Sequence, residues 1–293
     1  MPADLIDGVA VAQLVRAEVA RDTAVLVARG VQPGLTVVLV GDDPASAVYV
    51  RSKERACIEA GMRGETIRLP ASATEAELLA EIDTLNADAR VHGILVQMPL
   101  PKHIDSQVII QRIDPAKDVD GVHPLNVGKV LIGDADAFAP CTPSGVQVLL
   151  RHSGVDTRGR NCVIIGRSIL VGKPMASLLV QPGEGGDATV TLCHSRTADL
   201  GWHTRRADII IAAAGKPELI TGDMVKPAAV VIDVGINRVP DPSAKSGTRL
   251  LGDVHFASVR EVASKITPVP GGVGPMTIAM LLKNTVRAAV QSA

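Results

Sequence analysis

Short apolar runs recur along the chain, and between them lie longer stretches in which apolar residues return every three or four positions. The runs Leu35–Val40, Thr66–Leu69, Gly93–Met98, Cys162–Ile165, Thr189–Cys193, Ile209–Ala213 and Val230–Val234 predict strands. The helical spacing predicts helices over Ala10–Arg29, Ser46–Ala60, Glu75–Asn86, Ser144–His152, Pro174–Val180 and Pro275–Gln291. Strands alternating with helices predict an α/β protein with mostly parallel sheets. The periodicity lapses at GDADAFAPCTPSG (133–145) and at PVPGGVGP (268–275), where six of eight residues are Gly or Pro. These breaks predict two domains, one of residues 1–143 plus 270–293 and one of residues 144–269, with the last helix returning to the first domain. Pro182–Asp187 and Asn237–Arg249 read as surface excursions.

Composition narrows the core. Hydrophobic residues make up 46% of the 293 and aromatics only 1%, so Val, Ile, Leu and Ala must fill the interior, a palette suited to buried parallel strands. A formal net charge of −1, with no basic run, offers no field for nucleic acid or anionic lipid, and neither is expected as a partner. The N-terminus does not read as a signal peptide, and no apolar stretch reaches the ~18 residues of a membrane span. Cys57, Cys141, Cys162 and Cys193 are scattered, which predicts reduced thiols and no metal site.

A nucleotide signal lies in the second half. The strand Val163–Ile165 runs into Gly166-Arg167-Ser168, then Val171-Gly172-Lys173-Pro174 and a helix. One glycine permits a tight turn, the second a close approach to phosphate, and the helix N-terminus offers free N–H groups. The spacing is not G-x-G-x-x-G, and an ordinary strand–turn–helix explains it about as well. The next strand ends in His194-Ser195-Arg196-Thr197, where NAD-binding folds usually carry a carboxylate. Arg167, Ser195 and Arg196 suit a 2′-phosphate, hence NADP; solvated loop residues are the alternative. Glycines at two further strand ends, Gly215 and Gly235, suit a flat cofactor lying across the sheet edge.

The first half carries the chemical candidates. Tyr49, the sole tyrosine, and Lys53 are one helical turn apart and can share a face, where a phenol and an amine bind or protonate a substrate; a solvated helix face is the other reading. Short-chain dehydrogenases also carry Tyr-x-x-x-Lys, but after the nucleotide domain, whereas here it precedes the nucleotide signal. Gln97 is the one polar side chain between Ile94 and Pro101 and can hold an amine or close a turn. Asp118 and Asp120, at i and i+2 in KDVDG, can bind a metal, bond an amidine-like heterocycle edge, or cap a loop.

Taken in order, YVRSK (49–53), VQMPLP (96–101), KDVDG (117–121), PCTPSG (140–145), GRSILVGKP (166–174), CHSRT (193–197), VIDVGIN (231–237) and PVPGGVGPMT (268–277) resemble the methylenetetrahydrofolate dehydrogenase/cyclohydrolase, or FolD, family. The resemblance implies a folate-binding α/β domain and a Rossmann-like NADP-binding domain. It implies oxidation of 5,10-methylenetetrahydrofolate with NADP and hydrolysis of the product to 10-formyltetrahydrofolate, within one-carbon metabolism and purine biosynthesis. It implies Lys53, Tyr49 and Gln97 as catalytic residues and Tyr49, Gln97, Asp120, Pro270, Gly271 and Gly272 as folate contacts. It places the cofactor on Gly166, Arg167, Ser168, Val171, Gly172, His194, Ser195, Ile236 and Thr277, and expects a cytoplasmic homodimer. Two rival readings are another NADP-dependent dehydrogenase, of a small keto acid, and a nucleotide-binding regulator without turnover.

Overall fold

The computed structural model describes residues 2–244 and 247–292. In chain order the first elements are β1 (Asp4–Leu5), α1 (Gly8–Ala28), β2 (Gly34–Val40), α2 (Pro44–Glu59), β3 (Arg63–Leu69), α3 (Glu75–Ala87) and β4 (Gly93–Val96). Helices α4 (Ser106–Arg112), α5 (Pro124–Ile132) and α6 (Cys141–His152) follow. Then come β5 (Asn161–Ile165), α7 (Gly172–Val180), β6 (Thr189–Cys193), α8 (Leu200–Thr204), β7 (Ile209–Ala212) and β8 (Val230–Asp233). The chain closes with β9 (Asn237–Pro240), β10 (Thr248–Leu251), α9 (Phe256–Arg260), β11 (Lys265–Ile266) and α10 (Val273–Gln291).

The chain divides into two compact units, residues 13–141 with 278–293, and residues 1–12 with 142–277. In the first, β3-β2-β4 form a fully parallel three-stranded sheet. Every residue of β2 is buried, as expected of a central strand covered on both faces. Val38, Ile94, Leu78, Ile82 and Ile109 join sheet and helices in one core. Each such side chain contributes roughly 1.5–3 kcal/mol on burial. In the second unit, six parallel strands run in the order β1-β11-β8-β7-β5-β6. Ile165, Ile210, Val231 and Ile266 form its centre.

The expected strands and long helices are all present, with ends shifted by a few residues. Four short helices, α4, α5, α8 and α9, stand where no helix is predicted. Asn237–Arg249 is not a plain excursion: its ends pair as the antiparallel hairpin β9–β10. The division also differs from the one read from sequence. Residues 1–12 group with the six-stranded sheet because β1 pairs with β11, and residues 270–277 group there too. No helix among the described residues is long and apolar enough to cross a membrane.

Candidate functional site

Asp43 caps α2, its carboxylate accepting from Ser46 N at 2.8 Å. One face of the helix then carries Val50, Lys53, Ala56 and Cys57 inward. Lys53 is only 8% exposed. Its Nζ donates to Gln97 Oε1 at 2.9 Å. Gln97 follows the last residue of β4, at the carboxyl edge of the three-stranded sheet. Its Nε2 donates to Met98 O at 2.8 Å. That second bond settles the amide's orientation: the nitrogen faces a carbonyl, so the oxygen must face the lysine. Burial lowers the Lys53 pKa below the ordinary 10.5, while the charge of Asp120 acts against the shift. Tyr49, one turn earlier, is 47% exposed.

The two aspartates of KDVDG serve different ends. Asp118 accepts from Val122 N, His123 N and Asn126 Nδ2, so it organises its own turn. Asp120 instead interacts with Lys53 and with the thiol of Cys141. Burial raises the Asp120 pKa and the Lys53 charge opposes that rise. Asp120 is half-buried as a residue. Cys141 is buried; its Sγ donates to Val119 O at 3.4 Å, and burial raises its pKa well above the usual thiol value. From the sequence, Cys141 reads only as one of four scattered, reduced thiols. Its place between two prolines of PCTP, at the start of α6, was the available signal. Asn284 of α10 holds this floor, its Nδ2 donating to Val119 O at 2.8 Å and Ala139 O at 3.2 Å.

The nucleotide candidates lie in the other unit. Gly166 leaves β5 at φ +133°, and a Cβ there would stand 2.1 Å from Ala213 O, so only glycine fits this turn. Gly172 starts α7, and a Cβ on it would stand 1.9 Å from Gly166 O. Ser168 Oγ accepts from Val171 N at 3.1 Å and closes the loop. Arg167 and Ser168 are exposed. Ile165 of β5 pairs with Cys193 of β6, so Gly166-Arg167 and His194-Ser195 leave adjacent strand ends. His194 folds into its own turn, its N donating to Thr197 Oγ1 and its Nδ1 accepting from Arg196 N. Ser195, Arg196 and Ile236 are exposed. Thr277 shares a hydrogen bond with Thr142 at 2.9 Å.

The predicted residues therefore separate. Tyr49, Lys53, Gln97 and Asp120 belong to the three-stranded unit, and Lys53, Gln97 and Asp120 meet there. Pro270, Gly271 and Gly272 belong with the nucleotide candidates in the six-stranded unit, where Gly272 O packs on Gly8 at the start of α1. Among the described residues no cluster of His, Cys, Asp and Glu is arranged to hold a metal ion.

Two family models match the chain. The catalytic domain of tetrahydrofolate dehydrogenase/cyclohydrolase matches residues 6–120, and the NAD(P)-binding domain of the same family matches residues 140–293. The bifunctional protein FolD of Moorella thermoacetica is 58% identical over 289 residues, 99% of each chain. A crystal structure of the bifunctional FolD methylenetetrahydrofolate dehydrogenase/cyclohydrolase of Campylobacter jejuni superposes with a TM-score of 0.94 at 48% identity, covering 99% of this chain and 100% of that one. The Trypanosoma brucei FolD structure, complexed with NADP cofactor and inhibitor, gives 0.94 at 43% identity, covering 100% of this chain and 99% of that one.

Proposed function

The chain belongs to the tetrahydrofolate dehydrogenase/cyclohydrolase family, and from that membership we propose a specific division of labour among its residues. The protein oxidises 5,10-methylenetetrahydrofolate to 5,10-methenyltetrahydrofolate with NADP and hydrolyses the methenyl compound to 10-formyltetrahydrofolate. One observation carries the assignment of the chemistry: a buried ammonium bonded to Gln97 Oε1, with the Asp120 carboxylate beside it, at a sheet's carboxyl edge. Burying such charges costs a fold several kcal/mol per ion, and a reaction site is where that cost is recovered.

The residues present fit NADP. The Gly166 turn excludes a side chain, β6 ends without a carboxylate, and Arg167, Ser195 and Arg196 are exposed at the neighbouring strand ends. Arg167 and Ser195 hold the 2′-phosphate, Gly166, Ser168, Val171 and Gly172 hold the pyrophosphate side, and His194, Ile236 and Thr277 complete the contacts. When bound, NADP supplies the hydride acceptor.

The folate is held by this chain's own groups. Tyr49 lies on its aromatic part, Asp120 accepts two parallel N–H bonds from the pterin, and Pro270, Gly271 and Gly272 add backbone contact. In the hydrolysis, water adds to the methenyl carbon while Lys53 Nζ, in its neutral form, takes one of the water's protons. The C–N5 bond then breaks, the remaining hydroxyl proton passes to N5, and the formyl group stays on N10. Gln97 fixes the Nζ that performs this transfer. The same reading takes the protein as a cytoplasmic homodimer whose product serves purine biosynthesis.

The test mixes purified protein with 5,10-methylenetetrahydrofolate and NADP and follows NADPH and methenyl absorbance together. NADPH without methenyl build-up supports both activities. Accumulating methenyl removes the hydrolytic role of Lys53. No NADPH, with NAD substituted as well, removes the whole assignment.

A further inference from the structure

Two carboxylates of the six-stranded unit have no part in the chemistry above. Asp233 ends β8 and Asp253 follows β10; they are 3% and 0% exposed. Asp253 Oδ2 accepts from Ala214 N at 2.6 Å and Gly215 N at 2.9 Å. Its Oδ1 accepts from Lys216 N at 2.9 Å and Asn237 Nδ2 at 2.8 Å. Three successive N–H groups with Gly215 at φ +65° make an anion-binding concavity of the kind that takes phosphates. Here an aspartate of the same chain occupies it. Asp233 in turn accepts from Gly235 N and from Asp253 N and Val254 N. The two turns interlock. A Cβ on Gly235 would stand 2.3 Å from Asp253 Oδ1, and one on Gly252 would stand 1.7 Å from Asp233 Oδ2.

This clasp ties together the loops that leave β7 and β8 at the carboxyl edge of the parallel sheet. Ile236 projects between Gly235 and Asn237, both of which are held by the clasp. On the other side, Ala213 O lies against Gly166, so the β5 turn rests on the loop that Asp253 holds. The glycine at 215 thus does not offer its N–H to a cofactor; it is spent on shaping the edge.

We propose that Asp253, locked by Asp233, is a positioning residue for the NADP-dependent oxidation, setting the 214–216 and 234–237 loops that receive the nicotinamide half of the cofactor, and that it has no part in the hydrolysis. The proposal rests on the functional reading above. The hydrolysis, which needs no cofactor, is the internal control, since Lys53, Gln97 and Asp120 lie in the other unit.

The experiment uses the full chain with Asp253→Asn, whose amide leaves two of the four donors facing an NH2 group, and compares it with the unchanged protein. Oxidation is measured with NADP and folate varied separately, and hydrolysis is measured on 5,10-methenyltetrahydrofolate without cofactor. The expected result is a KM for NADP raised about tenfold or more and a reduced kcat for oxidation, with the folate KM and the hydrolysis rate within about twofold. Equal loss of both activities, or an unchanged KM for NADP, overturns the proposal. Should Asp253→Asn fail to fold, Asn237→Ala removes one donor from the clasp; the expected rise in KM for NADP is about threefold with hydrolysis kept, and no rise overturns the proposal. An unchanged protein that reduces no NADP would sink the functional reading instead.

Discussion

A buried lysine serves as a base only to the extent that burial outweighs its negative neighbours, and Lys53 feels both influences. Burial, the larger effect, lowers its pKa and Asp120 raises it. Hydrolysis should therefore rise with pH along a limb whose midpoint lies below the ordinary lysine value of 10.5. Asp120→Asn removes the charge that holds the amine protonated, so the limb should move to lower pH in a kcat profile; a shift to higher pH would disprove the coupling. Lys53→Met should lower hydrolysis by about 10²–10⁴-fold and oxidation far less, read by assaying the two half-reactions separately. At this scale the sequence was informative where spacing places a side chain. Tyr49 and Lys53 share a helix face, and Gln97 is the one polar side chain between Ile94 and Pro101. It did not separate Asp118 from Asp120, because that difference comes from the hydrogen bonds of the 118–126 turn. Nor did it place Cys141 at the site, which only the packing of Val119, Asp120 and α10 does.

Elements were legible in proportion to their length. Strands buried on both faces leave an unbroken apolar run, and helices of twelve or more residues leave a period, that a sequence displays. The five-residue α8 and α9 span little more than one turn, too little for a period to appear. The hairpin β9–β10 is half-exposed and carries Arg238, Pro240 and Arg249, so nothing in its residues announced pairing. The β5–α7 turn was legible through its two glycines, and the structure gives the reason for the first. Gly166→Ala forces a Cβ to within 2.1 Å of Ala213 O at a left-handed φ. The expected cost is about 2–3 kcal/mol, seen as a lower midpoint in urea unfolding, together with loss of oxidation. A variant of unchanged stability would show that the turn tolerates a side chain.

At the scale of the whole molecule the two-part organisation was visible in the lapses of periodicity, but the ownership of the first dozen residues was not. It depends on β1, a two-residue strand paired with another two-residue strand, β11, some 260 residues later. The clasp beyond β8 was equally hidden, since Asp233 and Asp253 come together only when β8 and β10 are in place. It gives the molecule a pH dependence whose sign is fixed. Burial raises the Asp233 pKa from 3.8 to about 7; the N–H groups of Asp253, Val254 and Gly235 oppose the rise, and the Asp253 charge adds to it. The folded protein thus holds a proton that the unfolded chain releases near pH 4. Stability from this group is fullest below that point and is lost as pH rises to about 7, by an amount on the order of a few kcal/mol. Asp118 and Asp120, raised by burial as well, act in the same direction, and His92, lowered by burial, acts against them, so the Asp233 contribution to the slope of Tm with pH is the part that a variant removes. Asp233→Asn cannot ionise and should retain only part of that slope. Its Tm should also be lower throughout, because an amide NH2 replaces an oxygen that accepts backbone N–H groups. The slope and not the level is therefore the quantity to compare, by thermal unfolding at intervals between pH 4 and 7.5. Parallel curves for the two proteins would mean that Asp233 does not carry its proton into the neutral range.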